Sequence, residues 1–345
     1  MKAKDDKDPA LKVLSLYSGA GGLDLGFKRA GFDLVWANEI DPDSVKTYQA
    51  NLGDHIHLGD VDKTSFPKIE VDVIIGGPPC QGFSVAGYMD PSDPRSKHVF
   101  NFLDWVEHYK PRAFVMENVK NLARNNRFGM VRDKLFQRAE DMGYGVKLFV
   151  LNASEYGVPQ ARERMFFVGI LEDKPTRPPR KRGAKPTVRD ALKSLPPYGD
   201  PGNDTKVAAV ITPAKNPVLR KSPYAGMLFN GAGRPLDLDQ PSATLPASMG
   251  GNRTPIIDQY QWEHGGDSWV VDYHSRLMSG KKPLKKVSPN LRRLTLEEAQ
   301  ALQSFPLNWK FSGRLSSQFS QIGNAVPPLL AQAVAAQLLK DLGSI

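Results

Sequence analysis

Short apolar runs separated by glycine-rich or acidic turns dominate the first half of the chain. The runs are rich in Val, Ile and Leu, as expected for buried strands of a parallel sheet, and lie at residues 11–17, 32–37, 71–75, 111–116, 147–151 and 165–169. Longer mixed stretches between them predict helices over residues 23–30, 97–109 and 127–142. This alternation predicts an α/β fold with a mostly parallel, doubly wound, Rossmann-like sheet.

The regular pattern stops near Glu172 and returns near Leu291. The intervening chain is rich in Pro, Gly, Lys and Arg and contains only short strand-like pieces, which indicates a smaller, loop-rich domain. Beyond it, Thr295 and Glu298 predict a capping box on a helix that runs through Ser304. A last helix is predicted over residues 329–342. We therefore expect one domain from residues 1–171 plus 291–345, and a second from residues 172–290.

The first predicted turn is Ser18-Gly19-Ala20-Gly21-Gly22, between a strand and a helix. Its glycines let a ligand approach the main chain, and the helix N-terminus offers N–H groups to an anionic group. Any Rossmann-like domain could carry this turn, since it is neither G-x-G-x-x-G nor a P-loop.

Acidic residues follow the next strands, at Glu39 and Asp60. Glu39 lies roughly 20 positions after the glycine turn, where the acceptor for the ribose hydroxyls of nucleotide-type cofactors is found. Each acid alone could be a solvated loop carboxylate. Successive turns that carry Gly, Glu and Asp together predict an adenosine-containing ligand.

The stretch Gly76-Gly77-Pro78-Pro79-Cys80-Gln81-Gly82-Phe83-Ser84 follows the apolar run 71–75. Its glycines and prolines cannot continue a strand or a helix, so a turn presents the Cys80 thiol beyond the carboxyl end of the strand. Cys80 is the single cysteine of the chain and has no intramolecular disulfide partner. A small buried cysteine is the alternative, but core strands are not built from such residues. The stretch therefore predicts a nucleophile.

These nine residues resemble the Pro-Cys motif of the cytosine-C5 DNA methyltransferases. Other blocks of the family recur in order, at Glu117-Asn118-Val119, Gln160-x-Arg162-x-Arg164, Arg292-Arg293-Leu294-Thr295 and residues 321–328, the last of which folds back against the first glycine turn in the family. The resemblance covers residues 11–171 and 291–342. It implies a bacterial or phage modification enzyme, a sequence-specific DNA (cytosine-5-)-methyltransferase with a methyltransferase domain and a target-recognition domain.

The resemblance also implies S-adenosyl-L-methionine as the cofactor, and it assigns roles by residue. The implied cofactor contacts are Tyr17, Ser18, Gly19, Ala20, Gly21, Gly22, Leu23, Glu39, Ile40, Asp60, Val61, Pro78, Asn324 and Val326. The implied catalytic residues are Cys80, Glu117, Arg162 and Arg164. The implied DNA contacts are Gln81, Ser84, Arg95, Gln160, Thr244, Asn252 and Arg253. No metal is expected. His98 departs from the family, which usually has leucine there, and we expect it to be a partly buried packing residue.

The chemistry of cytosine explains these residue types. Addition of the Cys80 thiolate at C6 makes C5 nucleophilic, and Arg162 and Arg164, if near, would lower the pKa of the thiol. Glu117, with a pKa raised by desolvation, could deliver a proton to N3. The cytosine must leave the base stack to reach such a site. No residue is an evident base for the C5 proton, so we expect a water to accept it.

The net charge of +9 and the pI near 9.4 favour an acidic partner, here double-stranded DNA. The absence of a long apolar run predicts no membrane span, and the charged residues 1–8 predict no secretory signal. A single cysteine suits a reducing compartment. We expect a monomeric bacterial protein of the cytoplasm, associated with the nucleoid. The sequence leaves open its target site and whether a cognate restriction endonuclease acts on the same site without forming a stable complex.

Three other functions compete with this hypothesis. A tRNA cytosine-C5 methyltransferase shares the Pro-Pro-Cys motif, but the long region between Glu172 and Leu291 favours an enzyme that reads DNA. A nicotinamide dehydrogenase could use the same sheet, but it gives Cys80 and Glu117 no shared role. A non-enzymatic DNA-binding module would not need the full set of catalytic residue types.

Overall fold

The structure, a computed structural model, describes residues 10–79, 97–175 and 177–343. Its first elements are β1 (Lys12–Leu16), α1 (Gly22–Ala30), β2 (Asp33–Glu39), α2 (Pro42–Asn51), β3 (Ile56–Leu58), β4 (Val73–Gly76), α3 (His98–Tyr109), β5 (Ala113–Val119), α4 (Lys120–Arg124), α5 (Gly129–Asp141), β6 (Tyr144–Asn152), β7 (Gln160–Ala161) and β8 (Glu163–Leu171). The later elements are α6 (Val188–Leu192), β9 (Pro213–Val218), β10 (Met227–Phe229), β11 (Ser242–Ala243), β12 (Ile256–Asp258), α7 (Gln259–His264), α8 (Trp269–Met278), β13 (Leu291–Arg293), α9 (Leu296–Leu302), α10 (Leu315–Asn324) and α11 (Pro328–Leu342). Short 3₁₀ helices lie at Val61–Lys63, Asn126–Phe128 and Ala153–Tyr156.

The chain packs as two compact units. Within the described residues, the sheet unit contains the chain up to Asn152, Glu163–Lys181 and the chain from Pro328, and the second unit contains Ala153–Arg162 and Arg182–Pro327. This division differs from the predicted domain boundaries, because residues 153–162 and 291–327 belong to the second unit and residues 172–181 belong to the sheet unit.

Apolar packing explains why residues 291–327 join the second unit. Leu294, Leu302 and Phe319 lie in one buried cluster with Val188 and Leu236. Strand β13 also pairs antiparallel with β12 of the same unit. The pattern of apolar and polar residues in this segment resembles that of the first half of the chain. This pattern therefore did not predict the unit against which the segment packs.

Among the described residues, the sheet unit is organised around seven strands in the order β3-β2-β1-β4-β5-β8-β6. Strands β1 to β5 pair in parallel, whereas β8 runs antiparallel to both β5 and β6. The strand order reverses between β1 and β4, which is where ligands bind in open α/β sheets. The predicted mostly parallel, doubly wound sheet is confirmed.

The last helix packs against the first one. A Cβ atom at Gly26 of α1 would lie 2.3 Å from the Cβ atom of Ala331 of α11, so only glycine permits this close approach. Helix α11 therefore lies on the helix that follows the first glycine turn, as the resemblance implied. It begins at Pro328, one residue before the predicted start, and residues 321–324 form the end of α10.

The helices α10 and α11 also give the one described stretch that could cross a membrane by length and composition. The most apolar part of this stretch, Leu315–Leu342, has a mean hydropathy of 1.3, but 61% of that part is buried in the protein. The stretch consists of two helices separated at residues 325–327. Such apolarity is typical of helices that pack into a core.

Helices α6, α7 and α8 lie in the region where the sequence indicated mainly loops and strand-like pieces. Each begins at a side-chain cap, provided by Thr187, Asp258 and Ser268 respectively. The predicted capping box of Thr295 and Glu298 is confirmed at the start of α9. In this region, the capping residues therefore indicate where helices begin better than the spacing of apolar residues does.

One buried acid in α1 makes the stability of the sheet unit depend on pH. Asp24 is fully buried and accepts a hydrogen bond from the Tyr48 hydroxyl at 3.0 Å. Burial raises the pKa of Asp24 to about 6, although hydrogen bonding opposes this rise. Because an unfolded Asp titrates near 3.9, the folded state holds the proton more tightly. The free energy of unfolding should therefore fall as pH rises from about 4 through about 6.

We predict that Asp24→Asn removes this pH dependence. The amide oxygen can still accept from Tyr48, while the cost of a buried charge, about 3 kcal/mol for a shift of this size, disappears. Relative to wild type, the variant should gain stability in urea unfolding at pH 7.5 but not at pH 4.5. Asp133→Asn, at an exposed position on α5, is the control. An Asp24→Asn effect that is the same at both pH values would contradict the prediction.

Candidate functional site

The glycine turn after β1 presents main chain to open space. Gly19 and Gly21 have φ values of +54° and +81°, and Gly21 directly precedes α1. A Cβ atom at Gly19 would meet no atom of the described residues within 4 Å. The Ser18 N–H donates to the Asn38 carbonyl at 2.9 Å, which joins the turn to the end of β2. A ligand can therefore approach this backbone beside the N-terminus of a helix.

The Glu39 carboxylate holds the same turn from the end of β2. Its Oε2 accepts from the Gly19 N–H at 2.8 Å, and its Oε1 accepts from the Ile40 and Asp41 N–H groups, each at 2.9 Å. Burial raises the pKa of Glu39, although these three hydrogen bonds oppose the rise. Ile40 beside it is 65% exposed. A fixed carboxylate next to an exposed apolar side chain fits the ribose hydroxyls and the adenine face of an adenosine-containing ligand.

The second acidic turn, at Asp60, is held by contacts of its own. Asp60 accepts from the Asp62 N–H at 3.1 Å and caps a 3₁₀ helix, whereas the Val61 side chain is buried in the core. The Asn38 amide donates to the Gly59 carbonyl at 3.0 Å and fixes this turn beside β2. Sequence reasoning missed Asn38, although an asparagine at the end of a buried strand could have indicated such a role.

His98 lies beside the first turn. Its Nδ1 is 3.3 Å from the Tyr17 hydroxyl and 3.7 Å from Asp62 Oδ1, and the Tyr17 and His98 rings meet edge to face. The His98 side chain is 18% exposed. The expectation of a partly buried packing residue is therefore confirmed.

A largely buried ion pair lies at the carboxyl end of β5. Arg164 Nε donates to Glu117 Oε1 at 3.0 Å. Glu117 Oε2 would be 3.3 Å from a Cβ atom at Gly77, so glycine leaves room for this carboxylate. The Asn118 amide donates to the Pro78 carbonyl at 3.1 Å and holds the turn after β4 against β5. The structure thus brings Glu117, Arg164 and the turn that leads to Cys80 together.

The antiparallel direction of β8 explains how Arg164 reaches this edge. In the pairing register, Arg164 lies opposite Val119 and Phe166 lies opposite Glu117. Because β8 begins where β5 ends, its first residues lie at the carboxyl edge of the parallel strands. A side chain at the N-terminal end of β8 can therefore contact a carboxylate at the C-terminal end of β5.

Gln160 and Arg162 occupy different surroundings from Arg164. The Arg162 N–H donates to the Gln160 carbonyl at 3.0 Å, so the segment is not a continuous strand. Arg162 is 1% exposed and lies in the second unit, where it donates to the Leu245, Gly323 and Asn324 carbonyls. Gln160, Arg162 and Arg164 alternate along the chain, but this interruption means that they do not lie on one face of an extended strand.

The other predicted contacts are placed as follows. Thr244, Asn252, Arg253 and Asn324 are exposed in the second unit, whereas Val326 is buried there. The Thr244 hydroxyl donates to the Ala161 carbonyl at 3.0 Å. The ligands assigned to these five residues of the second unit stay predictions. Cys80, Gln81, Ser84 and Arg95 lie outside the described residues. The described part of the chain contains no group of three or more His, Cys, Asp or Glu residues suited to a metal ion.

Comparison with known proteins agrees with this geometry. Residues 11–340 match the family of C-5 cytosine-specific DNA methylases. The type II methyltransferase M1.HphI of Haemophilus parahaemolyticus is 35% identical, over 96% of this chain and 87% of that protein. M.NgoPII of Neisseria gonorrhoeae is 34% identical, over 96% of both.

Solved structures give the same result for the fold. A DNA modification methyltransferase encoded within an Escherichia coli prophage has a TM-score of 0.68 and 26% identity, and the match covers 97% of this chain and 100% of that one. The Dnmt2 methyltransferase of S. pombe, at 20% identity and a TM-score of 0.68 over 96% and 99% of the two chains, shares the fold. Since the family match spans nearly the whole chain, the protein belongs to the C-5 cytosine-specific DNA methylases and is a DNA cytosine-5-methyltransferase.

Proposed function

We propose that this methyltransferase is the sequence-specific modification enzyme of a type II system, and that it methylates a cytosine extruded from duplex DNA with S-adenosyl-L-methionine as the donor. The observation that carries the proposal is the Glu117–Arg164 pair beside the turn Gly77–Pro79, which leads directly into Cys80. The relatives M1.HphI and M.NgoPII are type II methyltransferases, which supports the assignment to such a system.

The first turns of the sheet unit would hold the cofactor. The main chain at Gly19 and Gly21 leaves space for the ligand, Glu39 would accept from the ribose hydroxyls, and Ile40 would cover the adenine. When bound, the cofactor supplies an electrophilic methyl group for C5 of the cytosine. The three hydrogen bonds to Glu39 keep its carboxylate oriented before any ligand arrives, which reduces the entropic cost of binding.

Cys80 would act as the nucleophile. Its thiolate adds to C6 of the cytosine and breaks the C5–C6 double bond, so that C5 becomes able to take the methyl group. After methylation, loss of the C5 proton to water and elimination of the sulfur would restore the ring and the free thiolate. The position of Cys80 directly after Pro79 supports this role, because the preceding turn is held against β5 by the Asn118–Pro78 hydrogen bond.

Glu117 would stabilise the charge that thiolate addition pushes onto N3. A protonated carboxyl group donates a hydrogen bond or a proton there, and general acid catalysis of this kind typically contributes 10² to 10⁴-fold. Arg164 Nε donates to Glu117 Oε1 at 3.0 Å and so fixes the orientation of the carboxyl group beside the turn that leads to Cys80. Arg164 thus acts as a positioning residue for Glu117.

We predict that duplex DNA with 5-fluorocytosine at the cognate position forms a covalent adduct with Cys80, because fluorine at C5 cannot leave as a proton does. The cognate site is first mapped by bisulfite sequencing of a mixed plasmid substrate. Denaturing electrophoresis and mass spectrometry of the trapped peptide should then identify Cys80. Cys80→Ala should bind the duplex without forming the adduct. An adduct at another residue, or wild-type methylation by Cys80→Ala, would refute the assignment.

We also predict that Glu117→Gln lowers the single-turnover methylation rate by about 10² to 10⁴-fold, the usual range for a general acid. Its Kd for duplex DNA should change by less than about threefold, because the amide keeps the size of the carboxyl group. Rapid-quench kinetics and fluorescence anisotropy measure the two quantities. Glu163→Gln is the matched control. Glu163 directly precedes Arg164 in the chain, but its carboxylate pairs with Lys120, so this variant should keep the rate. Equal losses of rate and affinity in Glu117→Gln would count against a role in the chemical step.

A further inference from the structure

Buried polar side chains of the second unit connect two segments for which different ligands are predicted. The recognition segment, residues 242–245, includes the predicted DNA contact Thr244. The cofactor turn, residues 323–326, includes the predicted cofactor contacts Asn324 and Val326. Both segments are described within the same unit, so the contacts between them can be followed atom by atom.

Arg162 binds both segments with one guanidinium group. Its Nη1 donates to the Leu245 carbonyl at 3.3 Å, and its Nη2 donates to the Gly323 and Asn324 carbonyls at 2.8 and 3.4 Å. The guanidinium is planar and its donors keep a fixed geometry. Because the side chain is only 1% exposed, water cannot easily replace a carbonyl that moves away. A shift of one segment therefore disturbs the hydrogen bonds of the other.

Two glutamines form a second connection between the same segments. Gln160 Oε1 accepts from the Leu245 N–H at 3.0 Å, and Gln160 Nε2 donates to Gln303 Oε1. Gln303 Nε2 then donates to the Ala325 carbonyl at 2.6 Å. Gln160 and Gln303 are both fully buried. The two connections run in parallel, so the separation of the segments is fixed at two places.

Close main-chain packing adds to these hydrogen bonds. A Cβ atom at Gly323 would lie 2.6 Å from the main chain of Pro246 and Ala247, immediately after the recognition segment. On its other side, the segment is held to β7 by the hydrogen bond from Ser242 N–H to the Pro159 carbonyl and by the Thr244 hydroxyl bond to Ala161. The recognition segment and the cofactor turn therefore have little room to move independently.

We propose that Arg162, together with the Gln160–Gln303 connection, is a positioning residue that couples DNA binding at the recognition segment to cofactor binding at the cofactor turn. This inference rests on the proposed function and on the sequence prediction that Thr244 contacts DNA and Asn324 contacts the cofactor. It gives Arg162 a positioning role in place of the catalytic role that the resemblance implied. By linkage, cognate DNA and cofactor must each raise the affinity for the other by the same factor, typically 5- to 150-fold for coupled sites.

The coupling is measured with S-adenosylhomocysteine, whose Kd is determined by isothermal titration calorimetry with and without a saturating cognate duplex. Wild type should show at least a fivefold ratio between the two values. Arg162→Lys keeps the charge but cannot bridge three carbonyls, so the ratio should fall below about twofold. Its Kd in the absence of DNA should stay within about threefold of wild type, because the cofactor turn itself is intact.

Arg292→Lys is the matched control. Arg292 is another buried arginine of the second unit, but it pairs with Glu298 and bonds neither the recognition segment nor the cofactor turn in the contacts of the described residues. It should lose a comparable amount of thermal stability and keep the wild-type ratio. If Arg162→Lys does not fold, Gln303→Leu interrupts the second connection and should lower the ratio at least twofold.

The possible outcomes separate the inference from the proposed function. Three results would overturn the coupling role while leaving the methylation mechanism intact. The wild-type protein could bind both ligands with a Kd ratio near one, Arg162→Lys could keep the ratio of the wild-type protein, or Arg292→Lys could lower the ratio as much as Arg162→Lys does. Failure of wild type to bind S-adenosylhomocysteine under either condition would overturn both. A lower Kd ratio in Arg162→Lys and Gln303→Leu, with an unchanged ratio in Arg292→Lys, would establish the role.

Discussion

The ion pair between Arg164 and Glu117 depends on the direction of β8, which runs antiparallel to both of its neighbours in the described sheet. Strands β1, β4 and β5 deliver their carboxyl ends to one edge, as parallel strands must. Strand β8 is antiparallel to β5, so its first residues arrive at that same edge. If β8 ran parallel to β5, Arg164 would lie at the opposite edge, and a largely buried Glu117 would lose its cationic partner, a costly change in low dielectric.

The sequence predicted most of the sheet unit because its signals are local. Apolar runs mark the buried strands, and the glycine turn and the acids that follow them mark the ligand-binding edge. Glu39 was identified for the same reason, since its partners Gly19, Ile40 and Asp41 are fixed by the two turns themselves. The direction of β8 was not predictable from its residues, because an apolar run buried on both faces reads the same in either direction.

The block around Arg162 shows where local reasoning fails. Alternating residues share a face only in an extended chain, but the hydrogen bond from the Arg162 N–H to the Gln160 carbonyl interrupts the strand at that position. The partners that hold Arg162 lie 83 and 161 positions away along the chain, at Leu245 and Gly323. No periodicity within the block contains this information. The same holds for residues 291–327, whose place in the second unit follows from distant apolar partners such as Val188 and Leu236.

Two acids in the region where the cofactor is expected have pKa values raised by burial, and such acids carry a cost in stability. Glu39 and Asp24 lie beside the first glycine turn and within the helix that follows it, and burial raises the pKa of both. An apolar side chain at Asp24 would pack in the core without this penalty. Glu39 differs, because its carboxylate is bound by three main-chain N–H groups that would lose their acceptor. The same three hydrogen bonds orient the Glu39 carboxylate and fix the backbone that a ligand must approach. The cost of burying Glu39 is therefore linked to the geometry of the turn. A site of this kind is fixed before the ligand arrives because its own polar contacts hold it, and so its geometry depends on hydrogen bonding more than on apolar packing.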